Sequence, residues 1–292
     1  MENKTIKKKR TKIITLSVIG IALALLIIWI AWGNNALELS SYSIASNSLP
    51  KEFDGFRIAQ VSDLHNAEMG EDNEKLVSML AEADPDIIVI TGDMIDSRNT
   101  KVDVALSFAE QAVKIAPCYY VTGNHEARVD EYSDLKDGLL ELGVIILEDA
   151  RVDIELSGEI ITLIGVDDPN FQTDYLFGDD ETVMKSKLDE LTSEEVGYTV
   201  LLSHRPELFD IYVESGVDLI FSGHAHGGQF RIPFIGGVVA PNQGVFPKYD
   251  AGIFTEGNTN MVVSKGVGNS IIPFRVNNRP EVILIELTTQ GE

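Results

Sequence analysis

At 292 residues, with 44% hydrophobic content and a formal net charge of −23, the chain has room for one large packed domain plus an appendage. Its composition excludes a disordered polypeptide, and its single cysteine excludes an internal disulfide or a cysteine-based zinc site. The acidic balance disfavours a nucleic-acid polymer as partner, because Lys and Arg contacts to phosphates supply most of that affinity. A small phosphorylated substrate stays compatible if metal ions supply positive charge locally. Cys118 lies in the apolar run 115–121 and reads as a small buried hydrophobe rather than a reactive thiol.

Residues 1–12 hold Lys4, Lys7, Lys8, Lys9, Arg10 and Lys12 against one acid, Glu2. Residues 13–32 follow without a charge, and at about 1.5 Å per residue they span the ~30 Å of a hydrocarbon core. The basic segment should stay cytoplasmic, so 13–32 is expected to be a transmembrane signal anchor with the rest of the chain extracytoplasmic. Trp29 and Trp32 fall at the far end, where indoles favour the interface. A cleaved signal peptide and a buried core helix are the competing readings. Against the first, no small-x-small site follows the run, and the run exceeds a usual signal core. Residues 33–52 are polar, with Ser40, Ser41, Ser43, Ser46 and Ser48, and read as a tether or a leading edge strand. The main domain is expected over 53–292.

Within that domain, apolar runs at 57–61, 86–91 and 117–122 alternate with helix-like stretches at 73–83, 102–115 and 132–142. Continuous branched-residue runs in a β-α-β-α order predict strands of a parallel sheet buried on both faces. Residues 151–156 and 160–166, split by Ser157-Gly158, predict a hairpin. A helix at 181–191, a strand at 198–203, a helix at 207–215 and a strand at 217–222 follow. The tail offers strands at 252–254, 260–264 and 281–287, and no internal repeat is present.

The polar residues at the strand ends carry the functional signal. All five histidines lie in short motifs: Asp63-Leu64-His65, Gly123-Asn124-His125-Glu126, Ser203-His204-Arg205-Pro206, and His224 with His226 in Gly223-His224-Ala225-His226. Gly92-Asp93-Met94-Ile95-Asp96 adds carboxylates. Neutral imidazole and carboxylate suit divalent first-row metals when no thiolate is offered. Asp63, Asp93, Asn124, His204 and His224 each fall just past a predicted strand, at the carboxyl edge where ligands collect in open α/β sheets.

This ordered series resembles the calcineurin-like metallophosphoesterases across residues 55–288. Gly223-His224-Ala225-His226-Gly227-Gly228-Gln229, Ser264-Lys265-Gly266-Val267-Gly268-Asn269 and Pro273-Phe274-Arg275 resemble a bacterial branch whose members are often membrane-anchored or exported. The resemblance implies a four-layer α-β-β-α sandwich with two central mixed β-sheets, and a metallophosphoesterase catalytic domain over 53–292. It implies hydrolysis of a phosphodiester, phosphomonoester, or lipid- or nucleotide-linked pyrophosphate by a metal-bridging hydroxide. The substrate would be a phosphorylated small molecule or a lipid or cell-envelope component, and the partner surface the cytoplasmic membrane. A metal-binding but non-catalytic envelope scaffold or receptor is the alternative.

Carried over by position, the resemblance assigns Asp63, His65 and His226 to one metal, Asn124, His204 and His224 to a second, and Asp93 to both. A shared carboxylate offsets the repulsion of two cations about 3.5–4 Å apart. The ions could be Mn²⁺, Fe²⁺, Zn²⁺, Co²⁺ or Ni²⁺, since nitrogen and oxygen donors do not choose among them. His125 would protonate or stabilise the leaving oxygen, and Asp96 would orient His125, with loop capping as its plain structural role. Arg98 and Arg275 are candidate substrate contacts, and Glu126 either supports the ligands or is solvated. Where purple acid phosphatases carry a metal-bound tyrosine, this chain has Asp96. Serine/threonine phosphatases follow the same position with Arg-Gly, where Ser97-Arg98 stands here.

Overall fold

A 34-residue helix, α1 (Glu2–Asn35), opens the chain in the computed structural model, which describes residues 2–171, 179–193, 197–269 and 271–289. There follow β1 (Glu38–Ser46), β2 (Arg57–Val61), α2 (Glu74–Ala83), β3 (Ile87–Thr91), α3 (Val102–Ala112), β4 (Cys118–Val121), α4 (Tyr132–Glu141) and β5 (Ile145–Ile146). The second half contributes β6 (Ala150–Leu156), β7 (Glu159–Gly165), α5 (Asp180–Leu191), β8 (Tyr198–Leu202), α6 (Phe209–Glu214) and β9 (Leu219–Ser222). It closes with β10 (Gly252–Glu256), β11 (Thr259–Val263) and β12 (Glu281–Thr289).

The long strands form two six-stranded sheets, ordered β1-β12-β2-β3-β4-β5 and β10-β11-β9-β8-β7-β6. Both are mixed: β12 runs antiparallel to β2, and β6 antiparallel to β7, while β2-β3-β4-β5 and β7-β8-β9 are parallel. Side chains alternate across a strand, so each buried strand must feed two cores. In β3, Ile88 and Ile90 pack toward α2, α3 and α4, while Ile87 and Val89 face the other sheet. In β8 and β9, Val200, Leu202, Leu219 and Phe221 join that inter-sheet core, and Leu201 and Ile220 turn to the layer with α5 and α6. Three cores between four layers make the α-β-β-α sandwich that the runs of branched residues require.

The segment 33–52 is no tether. Its residues 38–46 form β1, the edge strand, paired in parallel with β12 over nine positions. One face of β1 is wet, which accounts for Ser41 and Ser43, while Tyr42 and Ile44 on the other face pack on the inter-sheet core. The ordered domain therefore begins at Glu38, three residues after the end of α1. The helix itself is long and apolar enough to cross a membrane, and its apolar side chains lie exposed. Cys118 is buried, and burial pushes its thiol up to about 12, which leaves it inert at neutral pH.

Candidate metal centre

The carboxyl ends of β2, β3 and β4 in one sheet and of β8 and β9 in the other meet at one edge of the sandwich. Each delivers its polar group within a few residues: Asp63 and His65 after β2, Asp93 after β3, Asn124 and His125 after β4, His204 after β8, His224 and His226 after β9. The sheets are tied beneath them, since Gln60 Nε2 donates to Thr91 Oγ1 and to the Ser222 carbonyl, both at 2.9 Å. Asp63, His65, Asp93, His224 and His226 all adopt positive φ, between 44° and 64°. For side chains with a Cβ this region costs of order 1–3 kcal/mol each, and such strain concentrates at functional sites. Two glycines permit the approach: a Cβ on Gly123 would overlap Asp93 Oδ1, and one on Gly223 would overlap Ser62 Oγ and Asp63 Oδ2.

The donors gather into two clusters, Asp63–His65–His226 and Asp93–His204–His224, each with its ligand atoms within 4.8 Å of one another; His125 joins His65 and Asp93 in a third such group. In the first, His65 Nε2 and His226 Nε2 lie 3.2 Å apart, and His226 Nε2 is 3.3 Å from Asp63 Oδ1. In the second, His204 Nε2 is 3.2 Å from Asp93 Oδ2 and 3.2 Å from His224 Nδ1. Asp93 Oδ2 also lies 3.5 Å from His65 Nε2, so this one oxygen faces both clusters. A terminal atom of the Asn124 amide completes the second, 2.7 Å from His224 Nδ1.

These contacts call for a cation. His204 donates Nδ1–H to the Thr91 carbonyl at 2.7 Å, which leaves the Nε2 lone pair pointing at a carboxylate oxygen and another imidazole. A carboxylate oxygen and two imidazole nitrogens converging in a buried place need a proton or a metal between them. The same demand sets the proton affinities. Burial opposes charge on His204, yet the adjacent Asp93 carboxylate outweighs it and holds the imidazole up to about 10. Burial likewise opposes ionisation of Asp93, but His204 and His65 keep its carboxyl well below the usual range. At His226 and His125 burial prevails, pushing them down to about 3 and about 4. His224 Nε2 has no hydrogen-bond partner among the described residues. Neutral His125, His224 and His226 beside ionised carboxylates, with a proton on His204 that a cation could replace, suit a divalent ion.

Glu126, left open between support and solvation, is fully buried. It accepts N–H bonds from Gly123 (2.8 Å), Asp93 (2.9 Å) and Ile95 (3.3 Å), so one carboxylate fixes two ligand-bearing turns. Burial and the Asp93 charge push Glu126 up to about 7. The Asp96 contact expected to orient His125 is longer than a hydrogen bond. Asp96 Oδ1 stands 3.6 Å from His125 Nδ1, and its carboxylate accepts from the backbone and guanidinium of Arg98. His125 Nδ1 instead accepts the Ser97 backbone N–H at 3.0 Å, which puts the proton of the neutral ring on Nε2. No side-chain pattern announces a backbone donor, so Ser97 had no signal in the sequence. Nor did the Thr91 carbonyl. Ser62, whose hydroxyl donates to Asp63 Oδ2 at 2.6 Å, was visible but unremarkable.

The two arginines differ. Arg98 is half-exposed at the rim. Arg275 is 2% exposed, and its guanidinium is spent on the Lys265 and Gly268 carbonyls and on Asn269 Oδ1. Three of its five N–H groups brace the surrounding loop.

A family model for calcineurin-like phosphoesterases matches residues 56–228, more than half of the chain and all of the donors above. The chain belongs to this family, and it is a metal-dependent phosphoesterase. It is 30% identical over 260 residues to a metallophosphoesterase of Aquifex aeolicus, covering 87% of this chain and 93% of that one. It is 28% identical over 253 residues to a "transmembrane protein with metallophosphoesterase domain" of Danio rerio, covering 84% of this chain and 56% of that protein. Among solved structures, the TT1561 protein of Thermus thermophilus superposes with a TM-score of 0.50 at 13% identity, over 73% of this chain and 90% of that one, a likeness of fold.

Proposed function

We propose that the chain is a membrane-anchored, extracytoplasmic hydrolase of phosphate esters that works with two divalent ions. Asp63, His65 and His226 would hold one ion, Asn124, His204 and His224 the other, and Asp93 both. The observation that carries this reading is Asp93 Oδ2, poised between His204 Nε2 at 3.2 Å and His65 Nε2 at 3.5 Å. When bound, two such ions supply Lewis acidity to a phosphoryl oxygen and acidify water enough to make it nucleophilic near neutral pH.

The chain's own residues supply the rest. Glu126 and Ser62 hold the carboxylates in place, and the Thr91 carbonyl fixes the tautomer of His204. His125, neutral at pH 7 with its proton on Nε2, donates to the leaving oxygen as charge develops there. Arg98 is the cation at the rim for a second substrate oxygen, and Asp96 positions it by pairing with its Nε and Nη2. The basic residues before the apolar run in α1 favour a cytoplasmic start and an outward-facing domain.

The test uses detergent-solubilised full-length protein loaded with Mn²⁺ and assayed on mono- and diester chromogenic substrates. Turnover well above the His125→Ala variant supports the reading. A scaffold would bind the metal and hydrolyse neither ester above that variant. Protease added to intact cells should remove the domain; protection until lysis would refute the outward orientation.

A further inference from the structure

The end of α1 is not a free joint. The Asn34 side chain exchanges two hydrogen bonds with the Arg275 backbone, accepting at 2.7 Å and donating at 2.8 Å. Arg279 donates to the carbonyls of Ala36 and Leu37, at 2.7 and 2.8 Å, and its guanidinium lies over the Trp32 ring. The segment 271–279 therefore sits where α1 leaves the membrane on our reading of that helix. The adjoining loop 229–246 is laced to the same segment: Gln229 Nε2 donates to the carbonyls of Ile272 and Phe274, the Arg231 N–H to that of Val276, and Phe230 rests on Phe274.

These two loops expose large apolar side chains. Phe234 is fully exposed and Ile271 78% exposed, and Ile235, Val245, Phe246 and Phe274 are also open. Large apolar side chains exposed together on two interlaced loops mark a contact site. In a chain with 46 acidic residues, the stretches 228–248 and 265–280 contain no Asp or Glu and carry Arg231, Lys248, Lys265, Arg275 and Arg279. Arg231 pairs with Asp250, and Arg279 and Lys265 with Glu38. Apolar tips with no acid among them and a lysine beside them suit an interfacial lipid contact. An apolar groove of about 260 Å³ runs from this surface to a metal-site histidine, lined by His226, Gln229, Val239, Pro241, Ile271 and Ile272.

We propose that the loops 229–246 and 271–274 form a second contact with the bilayer that holds α1, and that the groove beside His226 takes the apolar part of a phosphoester drawn from that bilayer. This rests on the membrane reading of α1 and narrows the substrate of the same site to an amphiphile. The clasp on α1 fixes the metal edge toward the lipid surface, so the substrate's phosphate reaches the donors without leaving the interface.

Because Cys118 is buried, single cysteines introduced into the full chain can be labelled selectively. In phosphatidylcholine–phosphatidylglycerol vesicles, fluorophores at F234C, F246C and I271C should be quenched by nitroxide-labelled lipid and shielded from aqueous iodide. A label at E141C, on α4 against the sheet edge far from β1, should behave oppositely, and one at L16C reports on α1 alone. Lipid quenching at 16 with labels at 234, 246 and 271 as open to iodide as that at 141 overturns the proposal while leaving the anchor intact. A label at 16 that stays in water removes the anchor, and the proposal with it. The Phe234→Ser, Phe246→Ser double variant should turn over phosphatidic acid in vesicles roughly tenfold more slowly, with p-nitrophenyl phosphate hydrolysis unchanged. Equal losses on both substrates would mean damage to the domain and would contradict a lipid role.

Discussion

The two halves of the donor set are built to different standards. In the Asp93–His204–His224 half, His204 is pinned through Nδ1 to the Thr91 carbonyl, while the far nitrogen of His224, Nε2, has no hydrogen-bond partner among the described residues. In the Asp63–His65–His226 half, the Nδ1 atoms of both histidines are buried without hydrogen-bond partners among the described residues, and Asp63 is braced by Ser62 and the His224 N–H. Groups that hold a ligand's far side raise metal affinity about 10–100-fold. The difference teaches that similar donors need not bind alike: the pinned half should hold its ion more firmly.

The strongest way to break the comparison is to remove what both halves share. Asp93→Ala should abolish binding of both ions and lower kcat/KM by roughly 10³-fold or more, the scale on which principal electrostatic groups act; metal analysis beside kinetics checks it. A variant that keeps one tightly held ion would show that Asp93 serves a single half. His125→Ala should lower kcat by roughly 10²–10⁴-fold with metal content unchanged, and the loss should grow as the leaving group becomes more basic. A flat dependence on the leaving group would remove His125 from that role.

A smaller effect sharpens the comparison itself. Stepwise chelation of the loaded wild type should release two ions in two phases, with apparent affinities separated by about 10–100-fold. His226→Ala should erase the weaker phase and leave the tighter one. Glu126→Gln should weaken both phases, because Glu126 fixes the turns that carry Asp93 and Asn124.

The smallest effect lies outside the donors. Burial pushes Asp167 up to about 6, aided by the Asp149 and Glu148 charges and opposed by the Thr122 hydroxyl bond. A carboxyl whose folded value exceeds its unfolded one binds protons more tightly when folded, so stability falls as pH rises from about 4 to 6. Asp167→Asn should flatten that slope and raise Tm by about 2–4 °C at pH 7, read by thermal melts across pH; an unchanged slope would clear Asp167 of the effect.

The strands that carry the donors were legible because their buried, branched runs end in polar motifs. Arg57–Val61 and Tyr198–Leu202 sit within a residue of where those runs place them. β1 was ambiguous, since a one-sided edge strand rich in serine has the composition of a linker. Nor does any local pattern reveal that β12, last in the chain, inserts between β1 and β2. In the site, side chains with metal chemistry could be read directly. Backbone partners such as Ser97 N–H and the Thr91 carbonyl could not, because every residue has them. Arg275 is the opposite case: its charge suggests a substrate anion, and only the packing of 265–269 reveals that three of its N–H groups brace that loop.

The most direct test of the account is elemental analysis of the purified full-length protein, loaded and then desalted, alongside its phosphoesterase rate. Two divalent ions per chain, with activity lost as the second is withdrawn, is the predicted result. Hydrolysis that persists with fewer than one ion per chain would contradict it.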